Sequence, residues 1–250
     1  MANPCAEGRA LSHLESIQFF QSPAHACSYL EGRQATTVFA DPERQISTEE
    51  YSTLSGLGFR RSGPYVYKPY CQTCQACVPT RVPVRDFFEG RRHRRIRRLN
   101  ADLSMQITPP RDNETLWLLY QRYIRARHAD GDMYPPSREQ FSDFLVVGRP
   151  EARFIEFSLD ERLIAVAVVD WLSDSLSAIY TFFDPSESKR SLGTFAILEL
   201  ISRAKHLGLS FVYLGYWIEQ SPKMNYKGDF LPQERLGPSG WQRYPIPPLR

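Results

Sequence analysis

Arg153-Phe-Ile-Glu-Phe-Ser158, Arg162-Leu-Ile-Ala-Val-Ala-Val-Val-Asp-Trp171 and Leu176-Ser-Ala-Ile-Tyr-Thr-Phe-Phe183 are the runs that decide the fold. Each is rich in β-branched and aromatic residues. The connections, Leu-Asp-Glu-Arg and Leu-Ser-Asp-Ser, are short and polar, which predicts antiparallel hairpins. Downstream, the pattern from about Ser191 to Leu207 reads as a helix stopped by Gly208, and Leu209 to Trp217 as a further strand. Upstream, Leu116, Leu119, Tyr120 and Tyr123 recur at three- and four-residue spacing, so Asn113 to about His128 reads as a helix. After the loop His128-Ala-Asp-Gly-Asp-Met-Tyr-Pro-Pro136, Ser137 caps a second helix through Val147. Three hairpin-linked strands, a helix and one more strand describe an α+β fold, a mainly antiparallel sheet flanked by helices.

That element order is similar to the core of the N-acyltransferase (GNAT) fold. It begins after Gln106-Ile-Thr-Pro-Pro-Arg-Asp-Asn113, where two prolines precede a helix-start signal. The chain is therefore divided into residues 1–108, with short, Gly-, Pro- and Cys-punctuated elements and a basic segment, and residues 109–250, the GNAT-like part. With 42% apolar and 24% charged residues among 250, the chain is an ordinary globular one, which excludes a disordered or fibrous protein. The longest apolar run, Leu163–Val169, is far short of the roughly 20 residues of a membrane helix. The opening Met1-Ala-Asn-Pro-Cys-Ala-Glu-Gly lacks a signal-peptide pattern. The five cysteines are then expected to be reduced and the protein cytoplasmic, with Cys5 in a loose N-terminus.

Net charge is only +3, but it is unevenly placed. Between Arg81 and Arg98, eight arginines face Asp86 and Glu89, a local balance of +6, so the rest of the chain sums to −3. Within Arg91-Arg-His-Arg-Arg-Ile-Arg-Arg-Leu-Asn100, a helix places Arg91, Arg94, Arg95 and Arg98 in one arc and Ile96, Leu99 and Leu103 in another. Charge runs are usually solvated faces; four guanidiniums in one arc without an interleaved acid favour contact with a nucleic-acid backbone. Arg60-Arg61 either extends that patch or sits in an exposed turn.

Cys71-x-x-Cys74-x-x-Cys77 puts three thiols on a tight loop, with Cys27 as a candidate fourth. That spacing suits zinc or an iron–sulfur cluster, and equally three reduced thiols in a small core. Lys189-Arg-Ser-Leu-Gly-Thr194 opens a helix after a strand, either as a cap or as an anion-facing turn. Phe195 stands where an acetyltransferase pyrophosphate turn has a small residue. Tyr213-Leu-Gly-Tyr-Trp-Ile218 and the following Pro222-Lys-Met-Asn-Tyr-Lys-Gly228 gather hydroxyls and ammonium groups near a strand end.

Taken together, Gly58-Phe-Arg-Arg-Ser-Gly63, Cys71-x-x-Cys-x-Ala-Cys77-Val-Pro79, Arg125-Ala-Arg-His-Ala-Asp-Gly-Asp-Met-Tyr-Pro-Pro136, Arg190-Ser-Leu-Gly193 and Tyr213-Leu-Gly-Tyr-Trp-Ile218 with Lys223-Met-Asn-Tyr-Lys227 resemble the bacterial aspartate/glutamate leucyltransferases. These are leucyl-tRNA–protein transferases related to the arginyl-tRNA–protein transferases. The resemblance runs from about Phe19 to about Trp241. Tyr70, where His is more usual, and Ser221, where some members have Cys, depart from the pattern.

The resemblance implies transfer of leucine from leucyl-tRNA to the α-amino group of proteins beginning with Asp or Glu, creating an N-terminal degradation signal. It implies a GNAT-like acyltransferase domain and no cofactor required for the chemistry. The corresponding site expectations are Tyr180 and Tyr216 on the ester carbonyl, Asp184 as proton acceptor, and Lys223 or Lys227 on the acceptor's acidic side chain. Tyr226, Arg190 and Gly193 belong with substrate binding, Arg91, Arg94, Arg95 and Arg98 with tRNA phosphates, and Cys27, Cys71, Cys74 and Cys77 with a metal or cluster. Rival readings are arginyl transfer, an acetyl-CoA-dependent N-acetyltransferase, and a non-catalytic metal- or redox-sensing nucleic-acid-binding protein.

Overall fold

The computed structural model describes residue 14 and residues 16–244; Cys5 lies outside them. In chain order the strands are Phe19–Gln21 (β1), His25–Ala26 (β2), Gln34–Ala35 (β3), Thr37–Ala40 (β4), Arg60–Ser62 (β5), Tyr65–Pro69 (β6), Val78–Pro83 (β7), Ser104–Thr108 (β8), Ala152–Leu159 (β9), Arg162–Trp171 (β10), Ser175–Phe183 (β11), Phe211–Trp217 (β12), Gln233–Gly237 (β13) and Gly240–Tyr244 (β14). The α-helices are Thr48–Gly56 (α1), Arg91–Leu99 (α2), Glu114–Arg127 (α3), Arg138–Phe141 (α4, continued by a π turn, Ser142–Val146) and Leu192–His206 (α5). Every element read from the sequence after residue 108 is present, within one or two residues.

Eight strands form the main sheet, in the order β14-β13-β7-β12-β11-β10-β9-β8; only the β11–β12 pair is parallel. The β9–β10 turn puts Asp160 and Glu161 at positive φ (45° and 67°), the backbone that a two-residue hairpin of matching twist needs. One face packs on α5 and α2 through Leu198, Ile201, Val169 and Ile96. The other packs on α3 and α4 through Leu119, Tyr120, Phe141 and Phe182. Asn113 caps α3 through the Leu116 N–H (2.9 Å), and Ser137 caps α4 through that of Gln140 (3.1 Å).

A smaller antiparallel sheet, β1-β4-β6-β5, and α1 build the N-terminal layer. Helix α1 starts with a capping box, Ser47 and Glu50 each accepting from the other's backbone N–H. The layer is bound to the main sheet by a fully buried node. Arg61 Nε and Nη2 donate to Asp170 of β10 at 2.5 and 2.7 Å, and the Tyr51 hydroxyl donates to the same carboxylate at 2.8 Å.

The division at residue 108 falls at the end of β8, and β7 of the first segment lies inside the main sheet, between β12 and β13. The two segments share a sheet and a core because β7 covers the edge of β12 that would otherwise present unpaired backbone. Arg60 and Arg61 are both buried, 4% and 3% exposed, so they neither extend a basic patch nor sit in an exposed turn. Asp170, 109 residues away, neutralises Arg61, and the Arg60 guanidinium lies 4.6 Å from the Tyr213 ring centroid.

Candidate active site

Strands β11 and β12 pair only from Ser175–Phe211 to Ser177–Tyr213 and then part. Two bulges bend them away from each other. On β11, Val168 faces Tyr180 and Val169 faces Ala178, leaving Ile179 as the extra residue. On β12, Tyr213 faces Arg81 and Gly215 faces Thr80, leaving Leu214 extra. Gly215 takes φ +86°, a backbone conformation that calls for glycine; a Cβ there would meet Lys227 Nζ at 3.5 Å, an ordinary contact.

Tyr180 stands on β11 just past the parting. The only hydrogen bond of its hydroxyl among the described residues is a weak one to Met133 Sδ at 3.5 Å, which a stronger acceptor can replace. Burial, with neighbouring Tyr123, Tyr120 and Tyr226, pushes its pKa well up, which keeps it a hydrogen-bond donor at neutral pH. Tyr123 and His128, at the C-terminal end of α3, complete a triangle of rings. Their centroids lie 5.4 Å (Tyr123–His128), 6.2 Å (Tyr123–Tyr180) and 6.4 Å (His128–Tyr180) apart. Burial, then Lys223 and Arg127, lower the His128 pKa against the opposing pull of Asp130, so the imidazole is neutral at pH 7.

Two loops flank the opening. Lys223, after β12, joins Asp130 of the loop after α3 at 2.9 Å, and Ser28 donates to Asp132 of that same loop at 2.8 Å. Tyr226 is half exposed and close enough to Tyr180 and Tyr123 to couple with them electrostatically. Lys227 is turned inward instead. Its Nζ donates to the Tyr216 carbonyl at 2.8 Å, and burial with the Arg60 charge brings it down to about 7, Cys77 opposing.

Other expected site residues have different duties. The Tyr216 hydroxyl is buried and donates to the Gly58 carbonyl at 2.9 Å, an anchor between β12 and the N-terminal layer and not a free donor. Asp184 caps the turn after β11, accepting from the Ser186 N–H (3.0 Å) and Oγ (2.7 Å) and pairing with Arg162 at 2.9 Å. Burial would raise its pKa, but those hydrogen bonds and the Arg122 and Arg162 charges outweigh it and hold the carboxyl low. It also lies four residues, roughly 13 Å of extended chain, beyond Tyr180. Both facts oppose a role as proton acceptor. Arg190 is occupied by Asp102 (2.8 Å), Glu187 (3.0 Å) and the Leu99 carbonyl (2.8 Å), tying the end of α2 to the start of α5. Gly193 lies in the first turn of α5, where a Cβ would meet only Phe183 at 3.8 Å.

Helix α2 presents Arg91, Arg94, Arg95 and Arg98 to solvent, and none of the four makes an ion pair among the described residues. Its other arginines are engaged, Arg92 with Asp229 and Arg97 with Glu89 and Glu199. The buried side differs in part from the expected stripe. Ile96 is buried, Leu99 is 42% exposed, and His93 takes the inner position, stacked 5.5 Å from Phe230.

Cys27, Cys71, Cys74 and Cys77 are free, partly buried thiols in one neighbourhood. Burial, and then charge on the other three, push Cys77 up to about 12. Among the described residues no three His, Cys, Asp or Glu side chains converge to hold a metal ion. As placed, the four thiols do not fit zinc or an iron–sulfur cluster.

The family models for arginine-tRNA-protein transferase match residues 25–95 (N terminus) and 116–237 (C terminus). Aspartate/glutamate leucyltransferases from Alcanivorax borkumensis and Pseudomonas fluorescens are 51% and 52% identical over 95% and 92% of this chain, and 98% of each relative. The chain belongs to the aspartate/glutamate leucyltransferase family. Among solved structures, L-PGS from Bacillus licheniformis aligns at TM-score 0.45 and 12% identity, covering 86% of this chain and 76% of that one. FemX aligns at TM-score 0.44 and 9% identity, covering 82% and 80%.

In this leucyltransferase-family chain, sequence reasoning left Tyr123, His128 and Met133 without roles, although His128 and Met133 lie inside a quoted motif. Two signals pointed to the place. A glycine within the strand pattern at Gly215 marks a bulge. The polar loop 128–136 lies between two helices, where a site loop is expected.

Proposed function

We propose that the protein is an aminoacyl-tRNA–protein transferase that moves leucine from leucyl-tRNA to the N-terminal amine of proteins beginning with Asp or Glu, creating an N-terminal degradation signal in the cytoplasm. The observation that carries this reading is the near-full-length likeness to aspartate/glutamate leucyltransferases at about half identity. The geometry supports it. Past the point where β11 and β12 part, the Tyr180 hydroxyl has only a weak partner, Met133 Sδ, and α2 carries an arginine face without ion pairs among the described residues. No helix among the described residues is long and apolar enough to cross a membrane.

The chemistry calls on no cofactor, because an aminoacyl ester is already an activated acyl donor. An N-terminal amine, with pKa near ~7.7–8.0, is substantially neutral at cytoplasmic pH. The protein therefore has to align amine and ester, hold the developing oxyanion and accept a proton. Tyr180 holds the carbonyl oxygen. Arg91, Arg94, Arg95 and Arg98 of the first segment (1–108) hold tRNA phosphates, while the second (109–250) carries the acyl chemistry. Lys223 takes the acceptor's carboxylate by exchanging for it the carboxylate of Asp130, its partner here at 2.9 Å.

The matched arginine-tRNA-protein transferase models keep arginine as a second donor. The test supplies purified protein with labelled leucyl-tRNA or arginyl-tRNA and peptides beginning with Asp, Glu or Ala. Label from leucyl-tRNA on the acidic peptides alone is expected. Label from arginyl-tRNA would change the donor, and no label from either would remove the reading.

A further inference from the structure

We propose that His128 is the catalytic residue that takes the proton from the acceptor's α-amino nitrogen and delivers it to the leaving ribose oxygen. The assignment rests on the transferase reading above.

The placement carries it. His128 caps the C-terminal end of α3, its backbone N–H held by the Ile124 carbonyl at 2.9 Å, so the ring is delivered by a rigid element. Its ring faces Tyr123 and Tyr180 at the parting of β11 and β12. Among the described residues neither ring nitrogen makes a hydrogen bond, and neither is sealed from solvent. The carbonyl end of a helix favours a positive charge, which offsets part of the cost that burial, Lys223 and Arg127 place on the imidazolium formed in the reaction.

The alternatives are spoken for. Asp184 is tied to Ser186 and Arg162, and Lys227 is enclosed with its Nζ on the Tyr216 carbonyl. The charged and titratable groups facing His128 are Lys223 and Asp130 from the two loops, Arg127 on α3, and the hydroxyls of Tyr123 and Tyr180.

The step balances without a further reactant. The neutral amine nitrogen attacks the ester carbonyl carbon, a C–N bond forms, and the carbonyl electron pair moves to the oxygen held by Tyr180. His128 takes the extra proton from nitrogen. Collapse of the intermediate breaks the bond to the ribose oxygen, which receives that proton, leaving one new amide, a free tRNA hydroxyl and neutral His128.

The test measures single-turnover transfer from labelled leucyl-tRNA to an Asp-initiated peptide between pH 5 and 9, with the full-length chain. Beneath the titration of the acceptor amine near ~7.7–8.0, which every variant shares, the wild type is expected to show a second, acid bend below pH 6.5. His128→Ala is expected to lose that bend and to fall by roughly 10²–10⁴-fold. It should keep leucyl-tRNA affinity, and added imidazole should restore part of the rate. His128→Gln serves where the alanine variant does not retain tRNA binding. Either variant transferring within about threefold of wild type, or keeping the acid bend, would overturn the assignment. If the wild type itself transfers nothing, the functional reading fails first and takes this assignment with it.

Discussion

Asp170 offers the sharpest test of how the two layers are held together. Its carboxylate and the Arg61 guanidinium are both completely excluded from solvent, and it accepts from Arg61 twice and from Tyr51 once. Asp170→Ala leaves Arg61 charged and buried, with the Gly63 carbonyl (3.1 Å) as its remaining partner. Breaking such a pair from one side costs about 3–5 kcal/mol. At about 2–4 °C per kcal/mol for a chain of this size, the melting temperature should fall by about 6–20 °C. Asp170→Asn keeps one acceptor oxygen and should lie at the lower end. The double variant Arg61→Met with Asp170→Leu removes both charges and should recover most of the loss. Thermal and urea unfolding of the four proteins makes the comparison. An Asp170→Ala protein within about 1 kcal/mol of wild type would refute the view that this node secures the N-terminal layer, since buried pairs broken from one side lose far more.

Three further outcomes are expected. Replacing Arg91, Arg94, Arg95 or Arg98 by Ala should weaken leucyl-tRNA binding and make its salt dependence shallower, by roughly one unit of log–log slope for each phosphate no longer neutralised; filter binding across salt concentrations measures this. Tyr216→Phe should lose about 0.5–1.5 kcal/mol of stability and keep its turnover, because the hydroxyl serves the Gly58 carbonyl, whereas Tyr180→Phe should keep stability and lose about 10²–10³ in rate as an oxyanion donor. Lys227 has its pKa lowered to about 7 by burial and Arg60, so between pH 7 and its unfolded value near 10.5 the unfolded chain binds the extra proton. Stability from this group is present above pH 10.5 and is lost as pH falls toward 7, so wild type minus Lys227→Met stability should rise by about 1.4 kcal/mol per pH unit across that window. A flat difference in urea unfolding between pH 7.5 and 9 would contradict the depressed pKa.

The strands from Ala152 to Phe183 were legible because local pattern and turn chemistry agree: β-rich runs, separated by short polar turns, fold as hairpins whatever surrounds them. The face of α2 was legible for the same reason, since helical periodicity alone groups the four arginines that make no ion pair among the described residues. Arg60 and Arg61 were not, because their partners, Tyr213 and Asp170, lie more than a hundred residues away and leave no local trace. Strand β7 was hidden by Pro79 and Pro83, which argue against a central strand. The structure tolerates them because β13 pairs only with Thr80 and Arg81, between the two prolines. Aromatic residues were the hardest to assign. Tyr180 and Tyr216 look equivalent in sequence, and only the partners of their hydroxyls separate a free donor from an anchor.

The most direct measurement is a crystal structure of the full chain with leucyl-adenosine in which an amide replaces the ester. The expected result is a leucyl group between β11 and β12, its carbonyl oxygen about 3 Å from the Tyr180 hydroxyl and its amide nitrogen facing His128. A leucyl group lodged instead in the open cleft of about 610 Å³ between Ser62, Tyr65, Gln140 and Val147, away from both side chains, would contradict the account.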